Sequence, residues 1–273
     1  ALAQSLNTVA VDVLMKTGID NVIETTEELG MQADLPHFPS LALGVASISL
    51  RDLLFSYATI LNKGLRVQPY YLVSIADNNG NVLESFDPPP ADQTDISPVN
   101  CQIVTHMMKS VVNDGTGRAI RTVYKIPGDF AGKTGTTQNQ SDGWFVGMDP
   151  DLITGCWVGA EDPGIHFRTI TYGQGAYMAL PIVGKFFHKL YADSRYRSMQ
   201  YDEFTPLDDK LLSDLNLPPY REEYEKGEND GFLDRLFGGN SKEKRLEKAQ
   251  EPDKKQKKKK IWETIKNIFK KKK

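Results

Sequence analysis

The sequence predicts an α/β protein of the α+β type, in which helices cover an antiparallel sheet. Three short strand-like segments follow one another at 130–137, 143–148 and 152–160, joined by short polar connections. Such connections join antiparallel neighbours, because a parallel pair needs a crossover of about a dozen residues or more. A segment with apolar residues at helical spacing then follows at 179–191. We therefore expect a meander with a helix lying across it.

Further helices and a hairpin are predicted before the meander. Ser49 is placed to cap an amphipathic helix that Asn62-Lys63-Gly64 ends. Two β-rich segments flank Asn79-Gly80, a strong hairpin signal, and Ser97-Pro98 opens another helix. Near the start of the chain, helical spacing predicts a first helix through Leu2, Leu6, Val9 and Val13 and a second over 20–29.

Charge divides the chain into an acidic body and a basic tail. The formal net charge of the whole chain is −3, but residues 242–273 carry +10 and the remainder −13. This asymmetry argues against a uniformly basic nucleic-acid binder. Residues 238–260 lack apolar periodicity and predict disorder. The expected organisation is a main domain over 1–193, an extension over 194–237 and a disordered basic tail over 238–273.

The end of the tail has an amphipathic pattern. Lysines surround one apolar helical face between Lys257 and Lys273, formed by Ile261, Trp262, Ile265, Ile268 and Phe269. Such a pattern suits an anionic membrane surface. A solvated tail that aids solubility is an equally open interpretation, and nucleic-acid binding is less favoured.

The most informative motif is Lys133-Thr134-Gly135-Thr136-Thr137, in a strand of small residues. An edge strand of this kind can pair with an extended peptide, and its ammonium and hydroxyl groups can receive a carboxylate. A phosphate-binding loop is disfavoured, because Pro127 replaces its first glycine and a strand follows Lys133 instead of a helix. The four histidines lack metal-ligand spacing, so no metal site and no cofactor are expected.

The order of motifs resembles the class A, bifunctional penicillin-binding proteins over about residues 1–191. Ser5-Leu6-Asn7 comes first, then Gly115-Thr116-Gly117, the Lys-Thr-Gly run, Asp142-Gly143-Trp144-Phe145-Val146-Gly147 and Trp157-Val158-Gly159. The resemblance implies a serine β-lactamase-like transpeptidase fold, truncated here at its N-terminal side. It also implies peptidoglycan transpeptidation through a serine acyl-enzyme, with stem peptides and β-lactam antibiotics as partners.

The resemblance also implies a role for each matching residue. Ser5 would relay a proton to the leaving amine, Asn7 would hold the substrate amide, and Lys133 would supply positive potential. The backbone N–H of Thr136 would form half of the oxyanion hole. The residues implied in binding the substrate are Thr134, Gly135, Thr136 and Thr137.

One expected motif is missing from the body. The single Ser-x-x-Lys match, Ser241-Lys242-Glu243-Lys244, lies in the predicted disordered tail and is rejected as a nucleophile, since a nucleophile needs a rigid scaffold. We expect three parts upstream of Ala1: the nucleophile, a glycosyltransferase domain and a membrane anchor. The protein is expected in the bacterial cell envelope, at the extracytoplasmic face of the inner membrane. The chain alone is then expected to be inactive. The alternative is a non-catalytic envelope fragment that acts through its basic tail.

Overall fold

The computed structural model describes residues 1–214, so the expectations for the tail beyond 238 and for Lys257–Lys273 lie outside the described residues. The helices are α1 (Asn7–Thr17), α2 (Ile19–Glu28), α3 (Leu50–Leu61), α4 (Pro98–Asn113), α5 (Ala119–Thr122), α6 (Gly175–Met178), α7 (Leu180–Ala192) and α8 (Asp209–Asp214). The strands are β1 (Leu65–Val67), β2 (Ser74–Ala76), β3 (Val82–Ser85), β4 (Ala91–Gln93), β5 (Ala131–Thr136), β6 (Asp142–Met148) and β7 (Ile153–Gly159).

The predicted meander is confirmed. β5, β6 and β7 form one antiparallel sheet in that order, and Lys133 lies opposite Val146 in the register. Small residues let β5 and β6 lie close: a Cβ on Gly132 would come within 2.7 Å of the Val146 carbonyl oxygen. The sheet thus holds β5 in a fixed register at one edge.

Helices cover both faces of this sheet. Successive strand residues point to opposite sides, so neighbouring residues of β6 contact different helices. Phe145 faces a core with Phe130 and Phe187, and the last two rings pack edge to face at 4.8 Å between centroids. Phe187 belongs to α7, so the predicted helix across the meander is confirmed. The next residue, Val146, faces a second cluster with Met108 of α4.

A buried carboxylate fastens the β6–β7 turn to α7. Asp149 is fully buried and accepts hydrogen bonds from the backbone N–H groups of Asp151 (2.9 Å) and Leu152 (2.7 Å). The Tyr191 hydroxyl donates a third at 2.7 Å. Burial and the adjacent Asp149 carboxylate raise the pKa of Tyr191. Three donors compensate the buried charge, so the turn and the helix are fixed together.

The predicted hairpin and the Ser49 cap are present, and α4 begins at Pro98 as expected, although the Ser97 side chain makes no capping hydrogen bond. β2 and β3 pair around the turn that contains Asn79-Gly80. The Asp52 N–H donates to the Ser49 hydroxyl at 3.0 Å, so Ser49 caps α3 as expected. Lys63 and Gly64, which follow α3, have φ of 58° and 88°, the left-handed region typical of a helix end.

The prediction for the first helix was wrong over its opening residues. α1 begins at Asn7, and Leu2 to Ser5 form a turn in which the Ser5 N–H donates to the Leu2 carbonyl at 3.1 Å. Ser5 has a φ of 51°, which no α-helix accommodates. The Ala3 carbonyl accepts from the Thr116 N–H instead of from a residue one helical turn later, and the Gln4 side chain donates to the Asp114 carbonyl, so tertiary structure overrides the apolar repeat.

The chain after α7 returns to the body. Lys109 and Asp129 form a largely buried ion pair at 2.6 Å, and the Phe204 N–H donates to the same Asp129 carboxylate at 3.0 Å. The boundary expected at residue 193 remains a prediction. Among residues 1–214, no helix combines the length and the apolar character that crossing a bilayer requires.

Candidate active site

The structure brings Lys133 and Ser5 together, although 128 positions separate them. The Lys133 ammonium Nζ donates to the Ser5 hydroxyl Oγ at 2.8 Å and to the Thr134 carbonyl oxygen at 2.7 Å. β5 supplies the lysine and the turn before α1 supplies the serine. The Lys133 ammonium therefore links the Ser5-Leu6-Asn7 motif to the Lys-Thr-Gly run.

The Lys133 ammonium lies in a partly buried position. Burial lowers its pKa, because loss of water disfavours the charged form. Both of its acceptors, the Ser5 hydroxyl and the Thr134 carbonyl, are neutral. They solvate the ammonium without cancelling its charge, so positive potential remains available to an anionic ligand.

The N-terminal side of the site is exposed and unusual in its backbone. Ser5 has the left-handed φ of 51°, and its side chain reaches Lys133 from the turn. Asn7 is the first residue of α1, two positions later, and it is exposed to solvent. The role implied for Asn7 remains a prediction.

Two threonine hydroxyls on β5 have partners from other segments. The Thr134 hydroxyl is nearly buried and lies 2.6 Å from the Thr116 hydroxyl. The Thr136 hydroxyl oxygen accepts a hydrogen bond from the Gly175 N–H at 3.0 Å. Because the Gly175 N–H can only donate, the Thr136 hydroxyl keeps its own proton to donate to a ligand.

The last residue of the motif has a different environment. The Thr137 hydroxyl accepts from the Asp142 N–H at 3.0 Å and lies 2.9 Å from the Ser141 hydroxyl. It thus closes the β5–β6 hairpin. Gly135, opposite Trp144 in the register, offers only backbone groups. The substrate-binding roles expected of Thr137 and Gly135 remain predictions.

Thr116 is the residue at this site that the sequence interpretation missed. Its Gly-Thr-Gly run contributed to the family resemblance, but no role was assigned to the threonine, yet its hydroxyl touches Thr134 and its N–H donates to the Ala3 carbonyl at 3.0 Å. The signal was the threonine between two glycines, since a turn needs no such side chain. Within residues 1–214, no cluster of His, Cys, Asp and Glu could hold a metal ion.

Comparisons with protein-family models and with curated sequences agree with each other. A family model described as the penicillin binding protein transpeptidase domain matches residues 1–158. Penicillin-binding protein 1A of Aquifex aeolicus is 36% identical over 182 residues, which cover 67% of this chain and 24% of that protein. Penicillin-binding protein 1B of Vibrio cholerae is 37% identical over 163 residues, 59% of this chain and 21% of that protein.

Solved structures share the fold. Penicillin-binding protein 1A of Haemophilus influenzae superposes with a TM-score of 0.65 at 23% identity, over 76% of this chain and 35% of that one. PonA1 of Mycobacterium tuberculosis in complex with penicillin V gives 0.58 at 24% identity, over 76% and 58%. This chain spans about a quarter of the length of the curated relatives it matches.

Proposed function

The chain belongs to the penicillin-binding protein transpeptidase domain family, and we propose that it forms the carboxylate-binding side of a peptidoglycan transpeptidase active site in a bifunctional cell-wall synthase. The observation that carries this proposal is the 2.8 Å hydrogen bond from Lys133 Nζ to Ser5 Oγ. It joins a cation on a sheet edge to a hydroxyl that can pass a proton. Placed beside the scissile bond, the cation can attract the substrate carboxylate and the hydroxyl can protonate the leaving amine.

The substrate binds along β5. A stem peptide ending in D-Ala-D-Ala pairs with this strand, and its terminal carboxylate accepts hydrogen bonds from the Thr134 and Thr136 hydroxyls. The positive potential of Lys133 attracts the same carboxylate. This binding mode places the penultimate D-Ala carbonyl near Ser5.

The reaction is acyl transfer in two steps. A serine hydroxyl attacks the penultimate D-Ala carbonyl, the peptide C–N bond breaks, and Ser5 relays a proton to the departing D-Ala amine, so that the amine gains the one proton that the attacking serine loses. An amine of a neighbouring stem peptide then attacks the ester, which restores the serine hydroxyl and leaves a new amide. The backbone N–H of Thr136 stabilises the tetrahedral oxyanion; loss of one such donor typically slows acylation about 10²–10³-fold.

We place the nucleophile outside the described residues and before Ser5 in the full-length protein. The one Ser-x-x-Lys in the present sequence begins at Ser241, among lysine-rich residues where the motif arises by chance. The 273-residue chain is expected to be inactive alone. The full-length protein is proposed to act at the extracytoplasmic face of the inner membrane, on stem peptides and with β-lactams as inhibitors.

Fluorescent penicillin tests the proposal. The full-length protein should form a covalent adduct that excess unlabelled penicillin prevents, whereas the 273-residue chain should not. A Ser241→Ala variant of the full-length protein is the matched control and should label like the parent. Absence of labelling of the full-length protein, or loss of labelling in the Ser241 variant, would refute the proposal.

A second function, membrane-surface binding, is favoured by the amphipathic pattern of Lys257–Lys273. The chain should sediment with vesicles that contain anionic lipid, and deletion of Lys257–Lys273 should abolish this. A variant with Trp262, Ile265 and Ile268 changed to Ser keeps every lysine and separates apolar insertion from simple charge attraction. Equal sedimentation of all three chains would exclude this function.

A further inference from the structure

We propose that Thr116 is a positioning residue that orients the Thr134 hydroxyl toward the substrate carboxylate and ties the strand to the turn that carries Ser5. The inference rests on the proposed transpeptidase function and deepens it. Two independent contacts of Thr116 carry it, one through its side chain and one through its backbone.

The side-chain contact fixes the direction of a proton. The Thr116 and Thr134 hydroxyl oxygens lie 2.6 Å apart, so one of the two donates to the other. Each hydroxyl has a single proton, and a substrate carboxylate can only accept. If Thr134 donates to the carboxylate, Thr116 must donate to Thr134. The two hydroxyls then form a relay that ends on the substrate.

Thr136 provides an internal parallel for this arrangement. Its hydroxyl oxygen accepts from the Gly175 N–H at 3.0 Å, which leaves its proton for a ligand. The Thr116 hydroxyl donates to the nearly buried Thr134 hydroxyl, just as the Gly175 N–H donates to the exposed Thr136 hydroxyl. Both carboxylate-binding hydroxyls are therefore oriented from behind by a donor outside β5.

The backbone contact joins Thr116 to the other half of the site. Its N–H donates to the Ala3 carbonyl at 3.0 Å, two residues before Ser5, and the Gln4 side-chain amide donates to the Asp114 carbonyl at 3.0 Å. A Cβ on Gly115 would collide with the Ala3 carbonyl oxygen. The turn over 114–117 therefore holds the N-terminal turn in place while its threonine contacts β5.

The test compares two donor peptides in the full-length protein, one ending in D-alanine and one ending in D-alaninamide, which lacks the carboxylate. Thr116→Val should lower kcat/KM about tenfold for the carboxylate donor, because one neutral hydrogen bond is lost, and leave the amide donor nearly unchanged. Thr116→Ser keeps the hydroxyl and should therefore give nearly the parent kcat/KM for the carboxylate donor. Thr105→Val is the matched control, since this buried hydroxyl donates only within α4, to Cys101.

Several outcomes decide the question. A Thr116→Val protein that treats both donors like the parent, or loses both equally, overturns the inference, as does failure of Thr116→Ser to restore activity. Should Thr116→Val fail to fold, Thr116→Ala is measured in the parent and in Thr134→Val. Thr116→Ala should lower kcat/KM for the carboxylate donor in the parent but have no further effect on that donor in Thr134→Val, and an equal loss in both backgrounds contradicts the relay. A parent protein that turns over neither donor refutes the proposed function itself.

Discussion

The two halves of the site are built in opposite ways. Lys133, Thr134 and Thr136 lie on a strand that pairs with β6 and is backed by fully buried side chains such as Phe145. Ser5 instead lies in an exposed turn that a few hydrogen bonds attach to residues 114–116. The strand half therefore derives its geometry from the folding core. The turn half depends on a small number of local contacts, so it can be disturbed without unfolding the protein.

Core substitutions should expose this difference most strongly. Phe145→Ala removes a fully buried ring beneath β5 and should lower the free energy of unfolding by about 3–5 kcal/mol. Leu6→Ala, in the turn half, removes a side chain that is 48% exposed and should cost less than about 1 kcal/mol. Urea unfolding of the two variants measures both values, and equal losses would contradict the comparison.

The next largest loss of stability is expected from breaking the Tyr191–Asp149 pair, which stabilises the strand half. Tyr191→Phe leaves a buried carboxylate with one donor fewer and should cost about 1–3 kcal/mol. The raised pKa of Tyr191 also predicts a pH dependence. Its contribution is complete below the ordinary tyrosine pKa of about 10 and declines as pH rises toward the folded-state pKa. Chemical unfolding at pH 8 and above should therefore show a smaller alkaline loss in Tyr191→Phe than in the parent.

The next loss of stability should come from a substitution that adds a side-chain atom in the turn half. Gly115→Ala places a methyl group against the Ala3 carbonyl and should cost about 1–3 kcal/mol, because backbone must move. Gly164→Ala is the matched control: its nearest neighbour is the movable side chain of Asp162. Thermal unfolding checks both variants. A neutral Gly115→Ala would mean that the two turns are not in close contact.

Backbone strain at Ser5 should give the smallest effect. Ser5→Gly and Ser5→Ala both delete the hydroxyl, but only glycine accepts a φ of 51° without steric cost. Ser5→Gly should therefore be more stable than Ser5→Ala by about 1 kcal/mol. Denaturant midpoints measured side by side test this. A more stable alanine variant would contradict the left-handed conformation.

The parts of the fold that sequence reasoning could predict were the locally encoded ones. Three strand-like segments with short polar connections identified the β5–β7 meander, and Ser49 identified the start of α3. The turn at Ser5 escaped prediction, because its conformation depends on partners such as Asp114, 110 positions from Gln4.

Site residues were recognised by motif, but motif alone could not give their environments. The hydroxyl of Thr137 closes a hairpin, and that of Thr134 meets Thr116 from a separate turn. Both relationships are set by strand register and by the approach of other segments. No spacing along the chain encodes them.

The central claim is that Ser5 and Lys133 act as one unit, and a double-mutant cycle tests it most directly. The second-order rate of penicillin acylation would be measured in the full-length protein for Ser5→Ala, Lys133→Met and the double variant. Residues that act together lose their shared function once, so the double variant should react about as slowly as the slower single variant. Losses that multiply across the two positions would show independent action and contradict the account.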